Sequence, residues 1–277
     1  MLDMDFINQI RLNENIVIKY LFGSMFGTII QDAYEMKDTK DIVNALDHVC
    51  NPNDGYGWAS SGIYCFWDYE TKEVLYIGLA VDIGERFKQH NEILPMKKSS
   101  CKFDNIKSYF NQKEKLGYSI FTMSPLNQPV IKKNVEKIFD EEVELSDFAD
   151  EQFKGDLKVV EGILIEAYRI KNGSLPPWNK ISGSLEGKSR STEGNYDIVR
   201  SFTDKQESAL VANCTLRELK TDPISIHFEE FLHVVRHKML THGISFSDAL
   251  KESEQNDKLL YDLIMKEKYL SKNKKWL

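Results

Sequence analysis

The chain has 277 residues, 42% of them hydrophobic, and a formal net charge of −7 at pH 7. That length is enough to bury a sizeable core in one domain or two small ones. No apolar run approaches the length of a membrane span, and acidic residues stand where a secretory signal would carry basic ones, so we expect a cytoplasmic protein. The four cysteines are scattered without CxxC spacing, which indicates a reducing compartment and no cysteine-based metal site.

The first 57 residues are predicted to form a helical segment that packs on the core. Residues 16–33 are rich in apolar side chains, and residues 39–49 carry apolar side chains at helical spacing. The turn-forming residues 51–55 end this segment. Packing against a sheet is the simpler role for it, and a dedicated recognition role is the alternative.

Residues 62–78 predict a β-hairpin. Two apolar, β-branched and aromatic runs, 62–67 and 74–78, are separated by a short polar turn. A helix follows, on which Arg86 and His90 are one turn apart and project from the same face. Each strand carries a tyrosine, so two phenols and an Arg/His pair are expected to converge on one spot.

A second helix is predicted over residues 103–116, stopped by Gly117, with a third strand at residues 118–123. The stretch 126–156 is longer than a connection needs. Within it, residues 138–151 hold seven acidic and no basic side chains, a pattern typical of a solvated and partly disordered loop. A sharper hypothesis is that this insertion lies over the active cleft and repels DNA until a partner or substrate moves it.

Asp156 is predicted to cap the next helix, which ends at Gly173. On that helix, Gly162 and Glu166 share a face, and a glycine one turn before a carboxylate leaves room for a ligand. Glu161 is the competing carboxylate.

The remaining sequence predicts a Gly/Ser-rich linker and then helices. The linker covers residues 183–200, and residues 201–277 are predicted to be helical throughout. The candidate helices are 203–219, 224–241 and 247–270. His233 and His237 are four residues apart, but no HExxH pattern is present, so a solvated helix face is expected rather than a metal pair. The basic, aromatic tail 266–276 is either a frayed terminus or a contact with nucleic acid.

Six positions together resemble the GIY-YIG nuclease family over roughly residues 58–181. The tripeptides are Gly62-Ile63-Tyr64 and Tyr76-Ile77-Gly78, and they are followed by Arg86 and His90, then by a helical glutamate and an asparagine after a Pro-Pro-Trp segment. The resemblance implies an α/β (α+β) fold with a small three-stranded, mainly antiparallel sheet flanked by helices. It also implies a catalytic domain at residues 58–182 that contains the insertion, with helical N- and C-terminal segments outside it.

The resemblance also assigns roles to six residues: Tyr64, Tyr76, Arg86, His90, Glu166 and Asn179. It implies that the first tyrosine is the general base, that the second orients water or phosphate, and that the arginine stabilises phosphate charge. The glutamate would hold a single Mg²⁺ or Mn²⁺ ion, the histidine would support the base, and the asparagine would hold the site together. One departure is Leu79, which stands where many members have a polar or basic residue.

Charge is distributed in a way that is compatible with nucleic-acid binding. Residues 1–57 carry 4 basic and 9 acidic side chains, whereas residues 158–200 carry 7 and 5. Basic residues near the motifs are candidate DNA contacts, although solvated charge is an equally good reading of them. These residues are Lys97, Lys98, Lys102, Lys180, Lys188 and Arg190.

Two functions are therefore weighed. The first is a metal-dependent DNA endonuclease in restriction, anti-phage defence or related DNA processing, acting as a homodimer or with a partner protein. The second is a weak or inactive nuclease-like subunit that binds nucleic acid or assembles a larger complex. The acidic balance and Leu79 favour the second, whereas the intact six-residue set favours the first.

Overall fold

The structure is a computed structural model that describes residues 26–50, 59–95, 102–124, 127–137, 139–140, 142–204 and 208–271. Five strands form one sheet: β1 (Phe26–Glu35), β2 (Gly62–Asp68), β3 (Val74–Ala80), β4 (Lys115–Met123) and β5 (Val211–Thr215). Their order in space is β3-β2-β4-β1-β5. Neighbouring strands are antiparallel except β1 and β5, which run parallel. The sheet is therefore mixed.

Helices flank this sheet. They are α1 (Thr39–Val49), α2 (Ile83–His90), α3 (Phe103–Phe110), α4 (Pro129–Glu136), α5 (Glu151–Asn172), α6 (Leu185–Arg190), α7 (Tyr196–Ser201), α8 (Leu216–Thr221), α9 (Pro223–His242), α10 (Phe246–Glu254) and α11 (Lys258–Lys266). Short 3₁₀ turns lie between some of them. Within the parts of the chain that the structure describes, no helix combines the length and apolar character that crossing a bilayer requires.

The expectation of a three-stranded sheet is wrong, because strands from both ends of the chain extend it. The hairpin and the third strand are present as β2, β3 and β4, but β1 pairs with β4 and β5 pairs with β1. Residues 26–33 were expected to be helical. All but the last residue of β1 are buried, and a strand covered on both faces shows no alternation that would separate it from a helix.

The two faces of the sheet bury different sets of side chains. On β2, Ile63, Cys65 and Trp67 join the core beneath α5, α7 and α9. The alternate residues Tyr64 and Phe66 join a second core beneath α1, α2 and α3. This alternation follows from the two-residue period of a strand, and it aims Tyr64 at the face on which α2 packs.

Gly117 does not stop a helix, as expected from the sequence, but lies within β4. Helix α3 already ends at Phe110. A Cβ added at Gly117 would lie 2.1 Å from the indole of Trp67, which is fully buried and donates to the Ser119 hydroxyl at 2.8 Å. The glycine is therefore needed for the ring to cross the neighbouring strand.

We expect Gly117→Ala to lower the free energy of unfolding by about 1–3 kcal/mol or more, because the indole cannot move without strain. The matched control is Gly155→Ala in α5, where an added Cβ meets nothing within 4 Å. That change should raise stability by about 0.5–1 kcal/mol, through the lower helix propensity of glycine. Urea denaturation of both variants measures the contrast, and equal effects would contradict this packing role.

The acidic insertion holds α4, a 3₁₀ turn at Leu145–Asp147 and the start of α5. Helix α5 begins earlier than expected, because its N-cap is Asp150 rather than Asp156. The Asp150 carboxylate accepts from the Phe153 amide at 2.8 Å. Most of the described residues from 139 to 151 are exposed, with Ala149 buried. Gly173 ends the helix in a left-handed conformation, φ 77°, as expected.

The expectation of a linker followed only by helices in the C-terminal part of the chain is wrong. Residues 183–200, expected to be a linker, instead form α6, most of α7 and an intervening 3₁₀ turn, and Ile198 and Val199 are fully buried. The expected helix 203–219 is replaced by β5 and α8, with Thr215 as a capping residue between them. Helix α9 confirms the expected helix 224–241 almost residue for residue, whereas 247–270 divides into α10, α11 and a terminal turn.

The expectation that His233 lies on a solvated helix face is wrong. Its side chain is 1% exposed, and its Nδ1 lies 2.9 Å from the Thr28 hydroxyl of β1. Helix α9 thus covers the sheet with this face. The tail beyond residue 271 lies outside the described residues.

Candidate functional site

The hairpin brings the two tyrosines of the tripeptides together. Tyr64 lies opposite Gly78 in the β2–β3 register, and Tyr76 lies opposite Phe66. The tyrosine rings are 5.8 Å apart between centroids. A Cβ at Gly78 would come within 2.7 Å of both rings, so the close approach of the phenols requires glycine there.

Helix α2 adds the histidine. It begins at the N-cap Asp82, whose carboxylate accepts from the Glu85 amide at 2.8 Å. One turn past Arg86, His90 is buried with its Nε2 2.7 Å from the Tyr64 hydroxyl. Burial lowers the pKa of His90 to about 3, and the positive charges of Arg86 and Lys102 add to this. The imidazole is therefore neutral at physiological pH.

Arg86 supplies the shared positive charge of the cluster. Burial raises the pKa values of Tyr64 and Tyr76, and the guanidinium of Arg86 opposes that rise at both phenols. The same guanidinium acts on Glu161. One cation thus lies within electrostatic reach of two phenols, an imidazole and a carboxylate.

The free edge of β3 gathers the remaining polar groups. As an edge strand it presents unpaired backbone groups from alternate residues. The Leu75 carbonyl accepts from the Trp178 amide at 2.8 Å. Asn179 bridges the next outward position, accepting from the Ile77 amide at 2.9 Å and donating to the Ile77 carbonyl at 2.8 Å. The expected supporting role of this asparagine thus has a specific form, a side chain that pairs like a neighbouring strand.

Glu161 occupies the third outward position of the same edge. The backbone N–H of Leu79 acts to lower the pKa of its carboxyl group, and its charge raises the pKa of Tyr76. Burial raises the pKa of Glu161 itself to about 7. This carboxylate therefore lies within electrostatic range of Tyr76 at the edge of the sheet.

The placement of Glu166 corrects the sequence prediction. It lies roughly 140° around the helix from Glu161, given 3.6 residues per turn. Arg169 holds it in a two-pronged ion pair with N···O distances of 2.6 and 2.8 Å, which lowers the pKa of Glu166. Gly162 leaves no open space on that face, because a Cβ there would lie 2.9 Å from Ser184. The face shared by Gly162 and Glu166 packs against the segment that leads into α6, not against the tyrosines.

We expect Asn179→Ala to lower the free energy of unfolding by about 1–3 kcal/mol, since two partly buried hydrogen bonds are lost at one strand edge. The control is Asn172→Ala at the exposed end of α5, where a single bond to the Tyr168 carbonyl is lost. Urea denaturation compares the two. A smaller effect at position 179 than at position 172 would contradict the bracing role.

The basic residues expected to contact nucleic acid fall into different settings. Lys97 and Lys98 lie outside the described residues. Lys102 is buried in the site, where its ammonium donates to the Trp178 carbonyl at 2.9 Å and lies 4.5 Å from the centre of the Tyr76 ring. Lys180, Lys188 and Arg190 are exposed, the last in an ion pair with Glu186. Of this set, the structure thus brings only Lys102 into contact with the tyrosine cluster among the residues it describes.

Within the part of the chain that the structure describes, Glu161 is the one carboxylate that the site offers to a metal ion. Among the described residues no group of three or more His, Cys, Asp or Glu side chains is arranged to hold a metal. The chemistry of Glu161 nevertheless fits a hard cation, because burial makes its negative charge costly and a neighbouring Mg²⁺ would offset that cost. Water and substrate oxygens would complete the coordination.

A separate cleft of roughly 930 Å³ lies where the β2–β3 turn meets the end of α5 and helix α7. Lys72 and Arg200 line it, and so do the acidic residues Glu73 and Asp204. None of the tyrosine-cluster residues lines this cleft, and its basic and acidic groups balance. The candidate chemistry therefore remains at the tyrosine cluster.

Two features differ from the preferred sequence prediction: the competing carboxylate Glu161, rather than Glu166, acts on Tyr76, and Lys102, expected in a loop, is buried in the site. The sequence shows that Glu161 and Gly162 project from different faces of the helix. It does not show which of these faces packs against β3.

Comparison of the chain with models of protein families, with curated proteins and with solved structures gives no match.

Proposed function

We propose that the chain is a divalent-metal-dependent endonuclease that hydrolyses phosphodiester bonds of DNA. The observation that supports this best is the convergence of Tyr64, Tyr76, Arg86 and His90 from two strands and one helix, with a carboxylate at the adjoining strand edge. These groups are far apart in sequence, and no single packing requirement explains why all of them meet. The GIY-YIG resemblance of the motif residues is the second support.

Each group has a task in phosphodiester hydrolysis. Arg86 would bind the anionic phosphate with its planar fork of donors. Glu161 would hold the metal ion, which when bound supplies positive charge to the phosphate and lowers the pKa of a coordinated water. The phenols would position the phosphate and its attacking water. Asn179 would keep β3, and therefore Tyr76, in place.

For the role in the cell, we propose a class of processes rather than one pathway. Restriction, anti-phage defence and related DNA processing all require a nuclease with an added means of target choice. The elements outside the motif segment are large enough to supply such selection or a dimer contact. A homodimer or a partner protein remains the proposed arrangement, with a reducing cytoplasm as its setting.

The direct test is incubation of the purified chain with supercoiled plasmid, linear duplex and single-stranded DNA, with Mg²⁺, Mn²⁺ or EDTA. A matched RNA strand tests the choice of nucleic acid. We expect cleavage of a DNA substrate that depends on the divalent ion. Binding in a gel-shift assay without cleavage under any of these ions would instead support the nucleic-acid-binding or assembly subunit.

A further inference from the structure

The chain that follows Asn179 is anchored at both ends beside the tyrosine cluster. At one end, the Asn179 side chain is hydrogen-bonded to both backbone groups of Ile77 in the edge strand β3. At the other end, Gly183 packs on α5, where a Cβ added to it would lie 2.6 Å from the Cα of Gly162. Residues 180–182 therefore cross from the edge of β3 to α5.

This crossing passes next to the site. Tyr76 and Glu161 each immediately precede a residue to which the crossing is anchored. Because consecutive Cα atoms are about 3.8 Å apart, the Cα of Ile181, at its middle, lies within ~7.6 Å of the anchoring Cα atoms on either side. A substrate bound between Tyr76 and Glu161 would therefore lie beside this part of the chain.

Two large apolar side chains are exposed here. Ile181 is 73% exposed, and Leu185, the first residue of α6, is 86% exposed, the highest value for a large apolar residue in the described parts of the chain. Gly187 packs against α5 and lies about 200° around α6 from Leu185. Helix α6 thus directs Leu185 away from the protein.

Basic side chains flank these two apolar ones. Lys180 directly precedes the first of them, and Lys188 lies one turn past the second on α6. Both lysines are exposed. Residues 180–190, the rim segment, hold three basic side chains and one acidic one, and the acidic one, Glu186, is in an ion pair with Arg190. The two lysines therefore leave the rim segment with net positive charge.

We infer that the rim segment is a contact surface for duplex DNA. Lys180 and Lys188 contact the phosphates, as lysines commonly do in protein–DNA complexes. Ile181 and Leu185 contact the bases, because proteins that bend DNA use such apolar side chains as wedges between base steps. The inference rests on the proposed function for its choice of substrate.

The charge of the rim segment favours DNA over a second copy of the chain as its occupant. Lysine is depleted in protein–protein interfaces, whereas it is a principal source of contacts to nucleic-acid phosphates. A second copy seated on this surface would also cover the neighbouring tyrosine cluster. Duplex DNA that contacts the rim segment would instead bring a phosphate to that cluster.

The first test measures binding without cleavage. Fluorescence anisotropy of a labelled duplex in EDTA gives Kd as a function of NaCl concentration. We expect Lys180→Ala/Lys188→Ala to weaken binding and to reduce the slope of log Kd against log[NaCl] by about 2, since each lost phosphate contact removes about 1. The control Lys220→Ala/Lys251→Ala removes exposed lysines of α8 and α10 and should leave the slope near that of the wild type.

The second test changes the apolar side chains. Ile181→Ser/Leu185→Ser should weaken binding about tenfold or more, because the burial of two apolar side chains against the DNA is lost, and the salt slope should not change. The control Leu259→Ser alters a residue of α11 that is 71% exposed and should bind as the wild type does. Circular dichroism checks that each variant is folded.

Wild-type binding by either double variant of the rim segment, or no binding of the duplex by the wild-type protein, would overturn the inference. Size-exclusion chromatography examines the other occupant: if the apolar double variant turns a dimer into a monomer and keeps its DNA affinity, the surface belongs to a second copy and the inference fails. Cleavage tests the proposed function separately. A wild-type protein that binds through the rim segment but cuts nothing with Mg²⁺ or Mn²⁺ would contradict the nuclease and support the inference.

Discussion

Glu161→Gln is expected to reduce metal-dependent cleavage by about 10³-fold or more, whereas Glu166→Gln is expected to stay within a few-fold of wild type. Removal of a single electrostatic contact to a transition state already costs about 10²–10³-fold, and loss of the one carboxylate that the described residues place at the site would also remove the metal. Glu161 lies at the β3 edge beside Tyr76. Glu166 is held by Arg169 on another face of the same helix.

The pair is well matched as a control, because both changes replace a glutamate side chain of α5 with glutamine. Glutamine at position 161 keeps the size and polarity of the side chain, so the fold should be retained. Burial already raises the pKa of Glu161 to about 7, which means that the folded protein disfavours its charge and should tolerate a neutral replacement. Circular dichroism and urea denaturation check this. Equal loss of cleavage in both variants, or loss only in Glu166→Gln, would contradict the assignment.

Arg236→Met is expected to lower the free energy of unfolding by about 3–5 kcal/mol, the usual cost of removing one partner of a buried ion pair. Arg236 and Glu229 are 1% and 0% exposed and lie 2.8 Å apart. The guanidinium also donates to the carbonyls of Ala209 and Val211 beside and within β5 and to the Thr28 hydroxyl of β1. The variant would leave the Glu229 charge buried without its cation.

The exposed pair Glu254–Lys258 is the control for this experiment. Lys258→Met should cost no more than about 0.5 kcal/mol, because solvent screens a surface pair. The double variant Glu229→Gln/Arg236→Met should be less destabilised than the sum of its single variants, since no uncompensated charge remains. Urea denaturation gives all four values. An effect of Arg236→Met below about 1 kcal/mol would contradict the view that this pair fastens α9 and β5 to β1.

The local geometry of the motif segment could be predicted from the sequence because it depends on short-range periodicity. The hairpin, the helix with Arg86 and His90 on one face, and the left-handed Gly173 all follow from patterns within a few residues. The strand β1 could not be predicted in this way, because the polar residues Thr28, Gln31 and Asp32 are buried together with its apolar ones and the sequence does not alternate. Gln31 is an example: its amide donates to the carbonyls of Ser201 and Asp204, about 170 positions away.

The choice between the two glutamates shows where sequence reasoning stops. Both lie on one long helix at positions that a motif spacing allows. Which of them reaches the tyrosines depends on how α5 is rotated against the edge of β3. Gly162, Gly183 and Gly187 let α6 and the segment before it approach another face of the helix closely. Contacts between glycines this far apart in sequence leave no periodic signal.

The most direct measurement of the central claim is the position of a bound Mn²⁺ ion in crystals of the protein, located by anomalous scattering at the manganese edge. We predict one ion about 2.1 Å from a Glu161 carboxylate oxygen, on the side of the carboxylate that faces Tyr76 and Arg86. An ion bound at Glu166, or no ion at Glu161 in protein that cleaves DNA with Mn²⁺, would contradict it.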